Sequence, residues 1–245
     1  MERFELPPTS VPFYSVCFTS PPTSRDCFVF GIIRKVPGYA TEFGLIKVGD
    51  GEWELGPIVN NFKPGQRFTH CPPLFYNGVF YCVNYTSRGL RIFDPKKNGH
   101  DRWIPNRDVA CLDGDDEEVE TEDREIEFEN YIAQVDGEIC GVFVTNDDRK
   151  VSVRKWDFGR SRWKKLKSLG DKCLYVSRTG MFAEACSVTS GMENKIYFNK
   201  FRGKSGVLYS LATRMYHSIE GDFSSRYAYG FTHVEHGSWI KLSAL

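Results

Sequence analysis

The chain has 245 residues, 41% hydrophobic and 26% charged, enough for one large all-β domain or two small ones. No apolar run approaches the roughly 18 residues of a membrane span, and Met1-Glu2-Arg3-Phe4-Glu5 lacks the basic-then-apolar order of a signal peptide. Membrane and secreted classes are set aside, and 32 basic against 32 acidic residues with no dense basic stripe argue against nucleic acid.

Short strands and tight turns recur along the chain. A first copy runs Cys27 to Ile33, then Phe43 to Val48, a Gly49-Asp50-Gly51 turn and Glu52-Trp53. The second runs Leu74 to Tyr76, Asn77-Gly78, Val79 to Tyr85, Ser87-Arg88-Gly89, Leu90 to Asp94 and Arg102-Trp103. The run Asp113 to Glu129 follows, with eleven acids and one arginine, a local net of −10. Like charges repel and little apolar area is available there, so 113–129 is expected as a disordered loop between repeats. Within it Asp115, Asp116, Glu117 and Glu118 are the candidate contact for a basic partner.

The third copy runs Tyr131 to Val135, Asp136-Gly137, Glu138 to Thr145, a turn at Asn146-Asp147-Asp148, Val151 to Trp156 and Arg162-Trp163. The fourth runs Ala185 to Val188, Glu193-Asn194, Lys195 to Phe198, a Gly203 to Gly206 turn, Val207 to Ser210 and Arg214-Met215-Tyr216. A half-copy, Tyr227 to Phe231, His236-Gly237 and Ser238 to Leu242, closes the series. Trp53, Trp103, Trp163 and Tyr216 stand 50, 60 and 53 residues apart, as matched structural positions. Gly78, Gly137, Asn194 and Gly237 mark the hairpin turns; Asn-Gly and Asp-Gly suit a type I′ turn because both central residues need positive φ.

Four antiparallel strands every 50 to 60 residues predict an all-β fold, a β-propeller of four-stranded blades. About four and a half blades fit, an incomplete ring forming a single domain over 1–245. A sandwich would not carry a matched aromatic at blade spacing, and a lipocalin-like barrel would need fewer strands.

Chemistry-bearing residues are scattered. The eight cysteines, at 17, 27, 71, 82, 111, 140, 173 and 186, form no C-x-x-C pair and are expected as reduced core residues. His70, His100, His217, His233 and His236 offer one close pair, His233-x-x-His236, in a hairpin rather than on a helix face. Cys71 follows His70, but strand neighbours point to opposite faces. There is no P-loop, no G-x-G-x-x-G after a strand and no G-x-S-x-G elbow. No cofactor, no metal and no catalysis are expected.

One resemblance sharpens this reading. Leu169-Gly170-Asp171-Lys172-Cys173-Leu174-Tyr175-Val176-Ser177, Gly191-Met192-Glu193-Asn194-Lys195-Ile196-Tyr197-Phe198, Val207 to Leu211, Tyr216-His217 and Trp239-Ile240 are similar to plant F-box proteins with a KIB-type propeller, often called F-box/kelch-repeat. The resemblance implies a substrate receptor of a Skp–cullin–F-box ubiquitin ligase, in which an F-box bundle docks the Skp adaptor and the propeller holds a target protein. The chain departs from it in two ways. Leu6-Pro7-Pro8, Pro12, Pro21-Pro22 and Pro37 forbid an F-box bundle in the first forty residues, so a Skp-type adaptor is expected only with an F-box upstream. No Gly-Gly pair occurs, so kelch in the strict sense is not supported. The expectation is a non-enzymatic, cytoplasmic or nuclear propeller that binds an unnamed target protein. A regulatory decoy, a truncated gene product and a hydrolase-type propeller are the alternatives.

Overall fold

The computed structural model describes residues 5–9, 12–34, 41–57, 72–83, 89–96, 101–104, 128–145, 150–177, 180–187, 190–201, 204–219 and 224–225. Every regular element among them is a β-strand. Contacts divide the chain into two compact units, 1–106 and 107–245.

The first unit holds two antiparallel meanders. One runs β1 (Phe13–Phe18), β2 (Phe28–Arg34), β3 (Thr41–Lys47), β4 (Glu54–Pro57). The other runs β5 (Leu74–Tyr76), β6 (Val79–Val83), β7 (Leu90–Phe93), β8 (Asp101–Ile104). Asn77 (φ 49°) and Gly78 (φ 83°) join β5 to β6, both in the left-handed region that a two-residue type I′ turn requires. The sequence alternates only in part, because these strands are buried on both faces: all four residues of β7 are inside.

Where the two sheets face each other the filling is almost wholly aromatic. Phe30 lies 4.8 Å from both Phe80 and Phe93, and 5.8 Å from Phe43. Ile32, Leu45 and Cys82 complete that core. Each ring pair adds about 0.5–1.5 kcal/mol beyond its buried area. On the opposite face of the first sheet Gly31 and Gly44 are directly opposed. The Phe13 ring lies against both, and a Cβ on Gly44 would come within 2.8 Å of it and 3.1 Å of Trp53. The glycines are there to admit those rings.

In the second unit β9 (Phe128–Val135), β10 (Glu138–Thr145), β11 (Val151–Asp157) and β12 (Arg162–Lys165) form a third meander, joined at Asp136 (φ 51°) and Gly137 (φ 75°). The last sheet has six strands, in the order β14 (Gly180–Ala185), β13 (Lys172–Ser177), β15 (Lys195–Phe201), β16 (Lys204–Ser210), β17 (Met215–Ser218), β18 (Ser224–Ser225). Cys140, Val142, Val144 and Val153 of the meander pack with Leu174, Val176, Ile196, Phe198 and Val207 of the six-stranded sheet, mostly aliphatic, with Tyr131, Tyr209 and Tyr216 in the same cluster.

The fourth copy differs from its expected form. Ala185 to Val188 do not supply its first strand: Ala185 ends β14, Cys186 and Ser187 lie outside any strand, and Val188 is outside the described residues. The place beside β15 is taken by β13, running parallel to it with Leu174 opposite Ile196 and Val176 opposite Phe198. All four of those side chains are fully buried, which accounts for the choice: Leu174 and Val176 are a larger apolar pair at alternate positions than Ala185 with Ser187 or Cys186 with Val188. Strand β1 was also absent from the sequence-level repeat; it connects to β2 through a longer loop with no tight turn pair to announce it. The half-copy Tyr227 to Leu242 lies outside the described residues.

Candidate functional site

Among the described residues, the most chemically varied surface is the outer face of the six-stranded sheet. Successive strand residues point to opposite faces, so as Leu174 and Val176 enter the core, Cys173, Tyr175 and Ser177 point the other way. The registers place Phe182, Tyr175, Tyr197, Leu208, His217 and Ser224 in one row across all six strands. Phe182 stacks on Tyr175 (5.1 Å, 27°), and Tyr175 stacks on Tyr197 (5.2 Å, 22°). Tyr197 is buried, while Phe182, Tyr175, Leu208 and His217 are half-exposed. His217 Nε2 lies 3.2 Å from the Thr213 hydroxyl, and Met192 and Ile219 add exposed apolar surface.

Two thiols sit beside this row. Cys173 is opposite Glu184 in the β13–β14 ladder. The Cys186 amide donates to the Asp171 carbonyl (2.8 Å), which keeps Cys186 on the same face, diagonal to Cys173. The two side chains share a hydrogen bond, and Tyr175 bonds Cys173 as well. Burial pushes the Cys173 thiol up to about 12; the Cys186 contact adds to this and Tyr175 opposes it. Burial likewise raises Tyr197 to about 12, and raises Tyr175 together with the neighbouring Cys173. None of these groups is poised to exchange protons near neutral pH. The described His, Cys, Asp and Glu side chains also form no group of three able to hold a metal ion.

Lys172, the first residue of β13, ties this sheet to its neighbour, with Nζ 3.0 Å from Asp171 and 3.1 Å from Asp136 at the β9–β10 turn. Those contacts lower Asp171 and raise Lys172.

The repeat positions occupy different settings in their sheets. Trp163 on β12 is directly opposite Trp156 on β11, edge to face at 5.1 Å and 72°. Tyr216 on β17 is opposite Tyr209 on β16 in the same way, at 5.0 Å and 68°. Trp103 lies on β8 opposite Arg91 of β7. Trp53 precedes β4, half-buried, tilted on Phe13 at 4.5 Å and donating from Nε1 to the Pro7 carbonyl (2.9 Å).

Gly78 and Gly137 occupy positive-φ turns, as described. Asn194 (φ 57°) is a junction: its amide donates to the Lys172 carbonyl (2.7 Å), its Oδ1 accepts from the Leu169 amide (2.9 Å), and its carbonyl accepts from Leu211 (3.2 Å). It therefore starts the parallel β13–β15 ladder. Gly237, Asp115, Asp116, Glu117 and Glu118 lie outside the described residues, as do Cys71, Cys111 and every histidine except His217. Strand β9 begins at Phe128, so the last two residues of the acidic run are strand, and Glu129 accepts from the Tyr131 hydroxyl (3.0 Å).

The ring stack and the thiol pair were not found by the repeat, because Tyr175 and Cys173 sit on β13 and Phe182 on β14, strands that the repeat does not predict. The alternation Cys173-Leu174-Tyr175-Val176 was the available signal for a strand there.

The family model described as the KIB1-4 beta-propeller matches residues 1–222. An F-box/kelch-repeat protein of Arabidopsis thaliana is 27% identical over 211 residues, covering 84% of this chain and 55% of that protein. The chain thus spans about half the length of the curated relative it matches. No described helix is long and apolar enough to cross a membrane.

Proposed function

The chain belongs to the KIB1-4 β-propeller family, and on that premise we propose that it is a non-enzymatic module holding a target protein, as the recognition part of an F-box substrate receptor does. The observation that carries this reading is the family match over 1–222, which takes in all the sheets except the end of the last. The name of the Arabidopsis relative, an F-box/kelch-repeat protein, is in keeping with it. Assembly with a Skp-type adaptor would require an F-box; the propeller contributes the contact with the target.

Two surfaces are proposed for that contact. One is the acidic run with Asp115, Asp116, Glu117 and Glu118, suited to a basic partner whose approach charge would steer. The other is the half-exposed row of Phe182, Tyr175, Leu208 and His217, because aromatic side chains give large contact area at small entropic cost. The test is capture of partners on the immobilised chain and on a D115N/D116N/E117Q/E118Q variant, quantified at low and high salt. A partner that wild type retains, and that the variant loses about tenfold at low salt, fits the acidic contact. Equal retention by both would remove it, and loss with Tyr175→Ser instead would move the contact to the aromatic row. Retention of nothing by any form of the folded chain would overturn the binding role.

A further inference from the structure

The structure assigns a reversible disulfide site to Cys173 and Cys186, closed by a peroxide-class oxidant. Independently of any role in target binding, three observations place the pair. Both cysteines are free, and they lie diagonally across one β-hairpin on the same face. The two thiols interact in the reduced state, and since diagonal neighbours across a hairpin stand about 7–8 Å apart, bridging draws two strands that are already paired slightly closer together. Their exposures also differ in a useful way: Cys186 is half-exposed while Cys173 is 1% exposed. Of the remaining described cysteines, Cys82 and Cys140 have no second described cysteine on their hairpins, and on the β1–β2 hairpin Cys17 pairs with Phe30 while Cys27 lies just before β2.

Exposure fixes the order of events. The Cys186 thiolate sulfur attacks the peroxide; the S–O bond forms as the O–O bond breaks, and the leaving hydroxide takes a proton to become water. This leaves Cys186 as a sulfenic acid. The Cys173 sulfur then attacks the Cys186 sulfur. The S–S bond forms, the S–O bond breaks, and hydroxide departs as water with the Cys173 proton. Two thiols lose two electrons and one hydrogen peroxide becomes two waters. Thiol reductants reverse the step by exchange. The bridge would clamp β13 to the end of β14, the hairpin that separates this sheet from the simple meanders.

The experiment treats the purified full chain with hydrogen peroxide, blocks remaining thiols and digests with trypsin without reduction. Cleavage after Lys172, Arg178 and Lys195 puts the two cysteines on separate peptides, so a bridge appears as the linked pair Cys173–Arg178 with Thr179–Lys195. The expected result is that linked species, released by dithiothreitol, with a reversible rise in melting temperature that C186S abolishes. In C186S, Cys173 should stay reduced and alkylate only after unfolding. Because C173S empties a buried position, C186S is the decisive variant. Recovery of Cys186 as sulfinic acid, as an adduct, or bridged to a different cysteine while Cys173 remains a thiol would overturn the assignment.

Discussion

The β9–β12 meander and the six-stranded sheet share one hydrophobic core and obey different rules of construction. In the meander each strand pairs with its predecessor, and Asp136-Gly137 closes its first hairpin in two residues. In the last sheet β15 pairs in parallel with β13, and β14 with its connections intervenes in the chain between them. Parallel pairing cannot be made by a tight turn; here Asn194 fixes it, at a backbone angle that favours Asn or Gly and with three hydrogen bonds. Both sheets carry the same feature all the same, an edge-to-face aromatic pair across the third and fourth members of the repeat. The outer strands of the repeat are thus conserved in form while the inner one is replaced.

The comparison is tested most severely at that shared feature. Trp163→Ala and Tyr216→Ala each empty a buried site, and each should cost about 3–5 kcal/mol in denaturant titration. A small loss at Tyr216 with a large one at Trp163 would show that the last sheet does not depend on its pair. Next comes Gly141, where a Cβ would come within 2.8 Å of Phe143 and 3.1 Å of Trp163. Gly141→Val should cost about 1–3 kcal/mol by overpacking, and Trp163→Phe in the same chain should recover part of it.

At the junction, Asn194→Ala loses a side-chain acceptor and strains the backbone, for about 1–3 kcal/mol, while Asn194→Gly keeps the angle and should cost less. Equal costs would mean the angle is unimportant and the ladder starts without it. The smallest effect is expected at Lys172→Met, whose exposed ion pairs with Asp171 and Asp136 should shift the melt slightly, and not at all in high salt.

Alkaline pH separates the sheets in another way. Cys173 rises from 9.0 to about 12 and Tyr197 from 10.0 to about 12 on folding, while Cys140 of the meander rises from 9.0 to about 11. These groups are held neutral inside, so their contribution is complete below pH 9 and is lost as pH rises through 9 to 12, where the unfolded chain releases protons more readily. Stability should fall over that window, and C173S should flatten the fall more than C140S. Asp171 works at the other end: its pKa is lowered on folding, so its contribution is present above the usual carboxylate range and lost as acid protonates it.

The meanders were legible because their information is local. Asn77-Gly78 and Asp136-Gly137 specify a turn from two residues, and Trp103 and Trp163 follow Gly78 and Gly137 by 25 and 26 residues. What escaped was non-local. Strand β1 is joined to β2 by a long loop without a turn signature, and β13 finds β15 only through burial of Leu174 and Val176 in a core assembled from distant segments. The thiol pair and the ring row inherit that difficulty, since they exist only once β13 and β14 are paired. The cysteines were read as reduced core residues; among the described ones Cys27, Cys82, Cys140 and Cys173 are free and buried, while Cys17 and Cys186 are free and half-exposed, and Cys173 and Cys186 share one face of the β13–β14 hairpin.

The central claim is that this propeller holds a protein target without doing chemistry on it. The direct measurement is titration calorimetry of the folded chain with a partner recovered by the capture experiment. The account predicts saturable binding with defined stoichiometry, weakened about tenfold by neutralising Asp115, Asp116, Glu117 and Glu118 or by Tyr175→Ser, with the partner's mass unchanged after prolonged incubation. Turnover of the partner, or no saturable heat with any captured protein, would contradict it.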